Sequence, residues 1–418
     1  MSILLSRMLL AAFLVAQWPG VAHGSEAPSL AERLQAAAVQ NRLRLDHQGD
    51  RFSGPAWEKL IEEGRQAQFF ILGEEHGIAE NPKFAGAVFH ELASHGYSRV
   101  VIEISPPMAS ALDHALQRDG LKGLHDLYAQ PGAVPAFYGM REEAEFLARV
   151  RARVPEGPLL WGTDYEVGGD RHLLRTLAGR DMPAAAREAL DALASASHAS
   201  WAQFQETGNP QFIFSFSGDP ALVRAVVDAW PDRDDDSDWI LHTLEETLEI
   251  NRLWVSGQAW RSNERRAALL RTNFLRYWLE ERKAGRAPRA LFKFGASHVV
   301  RGRNMTDTFD LGALLPEIAA LEGRGSFSVL VLPGAGTQVA RFNPVAWSYQ
   351  PAPAKDGHAD GMQPILDAAF PDAFTLIDLR PLRVMVGMRQ DVPQELARIV
   401  HGFDAVLVMT GSTPSTGL

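Results

Sequence analysis

The stretch Phe69-Phe70-Ile71-Leu72-Gly73-Glu74-Glu75-His76-Gly77 constrains this chain more than any other. Four consecutive large apolar residues read as a strand buried on both faces, the pattern of a parallel sheet sandwiched between helices. The strand runs into a glycine, two carboxylates, an imidazole and a second glycine. The carboxyl end of a strand is where an open α/β sheet places its ligand site. Three later stretches have the same design. In Arg99-Val100-Val101-Ile102-Glu103-Ile104-Ser105, Glu103 interrupts a β-branched run. Leu159 to Glu166 ends in Gly162, Asp164, Tyr165 and Glu166. Arg289 to His298 is again an apolar strand followed by glycine and histidine, so the Gly-x-x-His of Gly73 to His76 recurs at Gly295 to His298.

The segments between these strands have helical spacing. Asn81 to His95 carries Pro82 in its first turn and an apolar stripe of Phe84, Val88, Phe89 and Leu92, and Gly96 ends it. Strand, helix, strand is a βαβ unit, so the strands on either side of this helix run parallel. Met108 to Gln117 and Arg141 to Val154 read as helices, with a Gly/Pro-rich stretch from Gly120 to Gly139 between them. Residues 170–285 are dense in Ala and Leu and read as a helical insertion that covers the cleft. Asp232 to Asp238 lacks the glycine and terminal glutamate of a calcium loop and reads as a solvated turn. Ser326 to Leu332, Phe374 to Leu379 and Ala405 to Met409 are further apolar strands, Pro333 to Gly336 is a turn, and residues 351–364 read as a mobile loop. The fold class is therefore α/β, with a mostly parallel central sheet flanked by helices. Residues 67–418 form one α/β domain, preceded by a helical segment at 25–66 with an N-cap at Ser29.

The first 24 residues read as a secretory signal: Arg7, an apolar run from Met8 to Ala16 too short to span a bilayer, and Ala22-His23-Gly24 before a cleavage point at Ser25. The chain contains no cysteine. An exported protein so made has no disulfides, and thiolate metal ligands, a cysteine nucleophile and a lipid-carrying cysteine are all excluded. A periplasmic or secreted location follows. The net charge of −10, with no long basic tract, argues against nucleic acid and anionic membrane as partners. A small-molecule or peptide substrate remains.

Buried carboxylates need a cation, a donor, a proton or solvent. Parallel strands bring Glu74, His76, Glu103, Asp164, Glu166 and His298 to one edge, and that set fits two roles. One is a divalent-metal site with His76, Glu103 and His298 as ligands. The other is metal-free acid–base hydrolysis, with a histidine activating water and carboxylates setting its tautomer. Alternation along an extended strand puts Glu74 on the same side as His76 and leaves Glu75 to solvent or to a supporting place behind the site. Asp164, Glu166, Tyr138, Arg266 and Arg301 are candidate substrate contacts. No Gly-x-Ser-x-Gly elbow, His-Glu-x-x-His helix, phosphate loop or dinucleotide fingerprint is present.

These motifs together resemble the erythromycin esterase/ChaN-like/TIKI superfamily. The resemblance rests on Leu72 to His76, Val101 to Glu103, Gly162 to Glu166 and Lys293 to His298. It extends to the helix from Asn263 to Phe274, which looks like the Arg-x-x-x-Met-x-x-Asn helix of the esterase branch with Leu270 in the methionine's place, and to the closing segment Phe403 to Val408 with Thr413-Pro414. It implies an α/β sheet with one cleft at the strand ends. In the esterase branch, residues matching His76, Glu103 and His298 activate water and assist hydrolysis. In the TIKI branch, the Gly-x-x-His matching Gly73 to His76 helps bind a divalent metal, and the ChaN branch binds haem. This chain departs from the esterases in two places: Gly73-Glu74-Glu75-His76 is one residue shorter, and Gly295 stands where they have a second histidine. The sequence thus leads to an exported hydrolase of an ester, lactone or peptide bond, with a haem- or small-ligand-binding protein as the alternative.

Overall fold

The computed structural model describes residues 28–354, 361–387, 389 and 391–418. The expected signal segment lies outside them. Eleven strands form among the described residues: β1 (Arg42–Gln48), β2 (Arg51–Ser53), β3 (Ala67–Glu74), β4 (Tyr97–Ile102), β5 (Leu160–Gly162), β6 (Arg289–Gly295), β7 (Gly325–Pro333), β8 (Gln338–Asn343), β9 (Ser348–Pro353), β10 (Phe374–Asp378) and β11 (Ala405–Met409). Nine of them make one sheet in the order β2-β1-β10-β11-β7-β3-β6-β4-β5, and β8 and β9 form a separate hairpin. From β11 to β5 every pairing is parallel; β10, β1 and β2 extend the sheet antiparallel. The opening strand β3 is central, as expected of a strand buried along its whole length.

Side-chain alternation splits the core into two layers. Phe70, Leu72, Val100, Ile102 and Leu291 face one layer. Phe69, Ile71, Val101, Ala290 and Phe292 face the other. The helices are α1 (Leu30–Gln40), α2 (Pro55–Gln66), α3 (Glu80–Ala93), α4 (Pro106–Tyr128), α5 (Arg141–Arg153), α6 (Asp170–Ala178), α7 (Ala184–Thr207), α8 (Phe214–Ser217), α9 (Pro220–Ala229), α10 (Asp235–Val255), α11 (Ala259–Lys283) and α12 (Leu311–Leu321), followed by shorter ones. The expected stripe of α3, Phe84, Val88, Phe89 and Leu92, joins Met108, Leu112, Phe146 and Leu147 of α4 and α5 on the first face. Leu34 of α1, Phe274 and Trp278 of α11, and Leu311 and Leu315 of α12 cover the second. This double cover is why the central strands read as unbroken apolar runs. Ser29 caps α1 in a reciprocal capping box with Glu32.

Three local expectations change. The segment 25–66 also contains β1 and β2, and β1 pairs with β10 in the main sheet. Its period-two signal, Leu43 and Leu45 alternating with Arg42, Arg44 and Asp46, is short but present. The helix expected to end at Gln117 resumes after non-helical Asp119 and Gly120 and runs to Tyr128, so the irregular stretch is shorter than Gly120 to Gly139. In the expected loop at 351–364, residues 351–353 finish β9, 355–360 lie outside the described residues, and a helical turn starts at Gln363. Among the described residues no helix is long and apolar enough to cross a membrane.

Candidate active site

Register brings the polar strand ends to one level. Glu74 lies opposite Gly295, and Ile102 lies opposite both Lys293 and Gly162. β6 stands between β3 and β4, so the strand that delivers His298 is flanked by those that deliver His76 and Glu103.

Glu103 is the hub. The Gly295 N–H donates to its Oε2 at 2.6 Å, and Arg266 Nη2 donates to Oε1 at 3.0 Å. His76 Nε2 lies 3.3 Å from Oε2 and His298 Nε2 lies 3.4 Å from Oε1. Burial alone would raise the Glu103 pKa, but His298 and His76 hold it well below the usual carboxylate range. Gly295 belongs here for a reason of space. A Cβ at that position would lie 3.1 Å from His76 Nε2 and 3.2 Å from Glu103 Oε2.

Each histidine has its own second carboxylate. His76 Nδ1 is 3.1 Å from Glu74 Oε1, and His298 Nδ1 is 2.7 Å from Asp310 Oδ2. An imidazole facing carboxylates at both nitrogens satisfies them only as the doubly protonated cation. Burial pulls both pKa values down, and Arg266 pulls His298 down further. The carboxylates prevail and hold His76 at about 9 and His298 at about 10. Phe137 stacks on the His76 ring, with centroids 4.0 Å apart.

Behind Glu74 lies a second buried group. Lys293 Nζ donates to Glu74 Oε1 and to Glu143 Oε1, each at 2.7 Å. Burial would raise Glu74, but Lys293 and His76 hold it low. Burial pushes Glu143 up to about 7 against the opposing pull of Lys293, and its Oε2 has no hydrogen-bond partner. Asp164 grips Arg266 through Nε at 2.9 Å and through Nη2, and the guanidinium lies 4.7 Å over the Tyr165 ring. Glu166 accepts from Ser105 Oγ at 2.7 Å and from the Gly169 N–H at 2.9 Å, while burial pushes its carboxyl up to about 7.

His76, Glu103, Phe137, Asp164, Tyr165, Glu166, Arg266, Gly295, Ser297 and His298 are among the walls of a cavity of about 260 Å³. The structure therefore brings together His76, Glu103, His298, Asp164, Glu166 and Arg266, with Glu74 behind His76. Two of the expected substrate contacts lie elsewhere. Tyr138 is fully buried and donates its hydroxyl to the Lys293 carbonyl at 3.1 Å; its neighbour Phe137 faces the cavity. Arg301 forms a two-pronged ion pair with Asp404. Glu75 is half-buried, and its carbonyl accepts from Asn81. Phe137, Lys293, Asp310 and Glu143 were not singled out from the sequence. Of these only Lys293 leaves a plain signal, a charge inside the run Leu291 to Phe294.

The metal role does not fit this donor set. Among the described residues no group of three or more His, Asp or Glu side chains is disposed to hold a metal ion. His76, Glu103 and His298 are joined to one another, and the Arg266 guanidinium already occupies the cation's side of Glu103.

Solved structures share this architecture. An erythromycin esterase, EreC, in the open conformation of a histidine-to-asparagine variant, matches with a TM-score of 0.61 and 17% identity over 90% of this chain and 99% of that one. A succinoglycan biosynthesis protein matches with a TM-score of 0.58 and 11% identity over 94% and 100%. A Bacillus cereus protein matches with a TM-score of 0.56 and 13% identity over 94% and 100%. ChaN of Campylobacter jejuni, in a structure with cofacial haem, stands at a TM-score of 0.29, too weak a likeness to carry an argument. No protein-family profile and no curated protein sequence matches the chain. The chain thus has the α/β fold of the erythromycin esterase structure, and its relationship to that protein is a distant structural one.

Proposed function

We propose that this chain is a hydrolase that activates water with a histidine and cleaves an ester, lactone or peptide bond in a small molecule or peptide. The observation that carries the reading is Glu103, set between two His–carboxylate dyads in a cavity that also receives Arg266. Each dyad has its carboxylate on Nδ1, which fixes the tautomer, so loss of the Nε2 proton leaves a base at the cavity wall beside Glu103. His76, whose Glu74 oxygen is shared with Lys293, is the base. It takes a proton from water as the oxygen attacks the substrate carbonyl. His298, still protonated, gives its proton to the leaving oxygen or nitrogen. Arg266 and the imidazolium of His298 face the charge that develops on the carbonyl oxygen.

The charge states fix the pH dependence. The working form has His76 neutral and His298 protonated. For the free enzyme kcat/KM rises as the first proton leaves the coupled pair near about 9 and falls as the second leaves near about 10. An alkaline optimum follows. Hydrolysis across a panel of esters, lactones and peptides, with His76→Ala and Glu103→Ala beside the parent, tests the assignment. Equal rates in parent and variants would refute it. We also propose export to the periplasm or beyond, which rests on the leader-like start of the sequence; mature protein beginning at Ser25 is the expected result of N-terminal sequencing.

A further inference from the structure

Three non-glycine residues adopt positive φ among the described residues, and two of them are aromatics connected to this site: Phe137 at +65° and Trp347 at +48°. A bulky side chain holds such a conformation only where its surroundings fix it, and such residues collect at functional sites. Phe137 lies in the loop between α4 and α5. Its ring covers one face of His76 at 4.0 Å, and its N–H donates to the Tyr349 hydroxyl at 3.0 Å. Tyr349 belongs to β9 of the separate hairpin. The base of that hairpin is fixed beside the site, because the Ala340 N–H donates to the Gly77 carbonyl at 2.8 Å. Its tip carries Trp347, which packs edge-on against Trp201 and Phe204 of α7.

The Phe137 ring therefore stands where the face of His76 would meet a substrate, packed against the core, and the hydrogen bond on its own N–H comes from a hydroxyl of another element. We propose that Phe137 is a gate that sets the size of group admitted to His76, and that the Tyr349 hydroxyl is its latch. With the latch made, the cavity takes only a small acyl or alcohol group beside the ring. A bulkier group enters when the Tyr349 bond breaks and Phe137 leaves its left-handed conformation. The cover over His76 stands independently of the reaction; its role in selecting substrates rests on the hydrolase reading above.

Two measurements test the cover without turnover. In NMR spectra of the full chain the His76 ring protons should lie upfield from the stacked ring, and Phe137→Leu should remove that displacement. Tyr349→Phe should speed amide exchange at Phe137 tenfold or more while the amides of α5 keep their protection. An unchanged His76 resonance in Phe137→Leu, or unchanged Phe137 exchange in Tyr349→Phe, overturns the proposal. A third measurement addresses selection. Phe137→Gly accepts the left-handed backbone without strain, so it should fold and raise kcat/KM for p-nitrophenyl benzoate over p-nitrophenyl acetate at least tenfold. An unchanged ratio overturns the size-setting role. If no form turns over these esters or any ester, lactone or peptide of the panel while the resonance and exchange changes appear, the hydrolase reading fails and the cover stands.

Discussion

Glu103→Gln separates charge from shape at the hub of the site. Glutamine keeps the volume and one accepting oxygen but removes the anion shared by His76, His298 and Arg266. The carboxylates around them raise the folded histidines from an ordinary 6.5 to about 9 and about 10. The differences, 9 − 6.5 and 10 − 6.5, correspond to roughly 3–4 and 5 kcal/mol at about 1.4 kcal/mol per pH unit. Glu74 and Asp310 carry part of each, and Glu103 is common to both. The carboxylate's own share is therefore a few kcal/mol, in line with the ~3–5 kcal/mol lost when one member of a buried ion pair is removed. The sign runs the same way for both rings. Their folded pKa values are raised, so the stabilisation is complete below about 6.5 and drains away as pH climbs through 9 to 10. Glu103 itself is held below its ordinary 4.5, so its contribution is present above that value and is lost in acid. The stability difference between parent and Glu103→Gln should therefore be greatest from about pH 5 to about 6.5, shrinking in acid and again as pH climbs through 9 to 10. Urea unfolding at a series of pH values measures it directly. An offset that stays constant from pH 4 to 11 would show that the carboxylate is not ion-paired with either histidine.

Other expectations are simpler. Lys293→Met leaves Glu74 and Glu143 buried without their cation and should cost about 3–5 kcal/mol in urea unfolding; adding Glu143→Gln should restore part of the loss. Gly295 has an ordinary φ of −55°, so Gly295→Ala tests close approach alone, and it should cut turnover by about tenfold or more by pushing His76 from Glu103 while changing the melting temperature little. Arg301→Ala should lower stability by about 1 kcal/mol and leave kcat/KM unchanged, because Arg301 serves Asp404.

What was legible in the sequence followed from burial. A carboxylate within a β-branched run, as at Glu103, or an imidazole just past an apolar strand, as at His76 and His298, conflicts with its surroundings strongly enough to be noticed in one dimension. Alternation even sorted Glu74 from Glu75 correctly, because the segment stays extended through Glu74. Loops gave no such parity. Tyr138 and Phe137 are adjacent, and only the left-handed turn at Phe137 decides that the phenyl ring faces the cavity while the phenol is buried. Arginines gave no parity either. Arg266 and Arg301 are alike in sequence, and what separates them is which carboxylate lies opposite, Asp164 or Asp404. The strand β1 was hidden by its charges, since only Leu43 and Leu45 carry its alternation.

The two dyads are nearly equivalent by construction. Both histidines follow a Gly-x-x-His turn out of a parallel strand, both present Nε2 to Glu103, and both have a carboxylate on Nδ1. Such symmetry alone would assign no roles. The surroundings break it. Beyond Glu74 lies Lys293, which competes with His76 for the same oxygen, Oε1. That competition weakens the hold of Glu74 on the His76 proton. Asp310 has no such rival: its Oδ2 serves His298, and its Oδ1 accepts the Leu311 N–H at the start of α12. On the proposed hydrolase reading this asymmetry favours His76 as the imidazole that releases a proton first, against the opposing pull of Arg266 on His298, and makes Lys293, a charge buried within an apolar strand, the residue that separates base from acid.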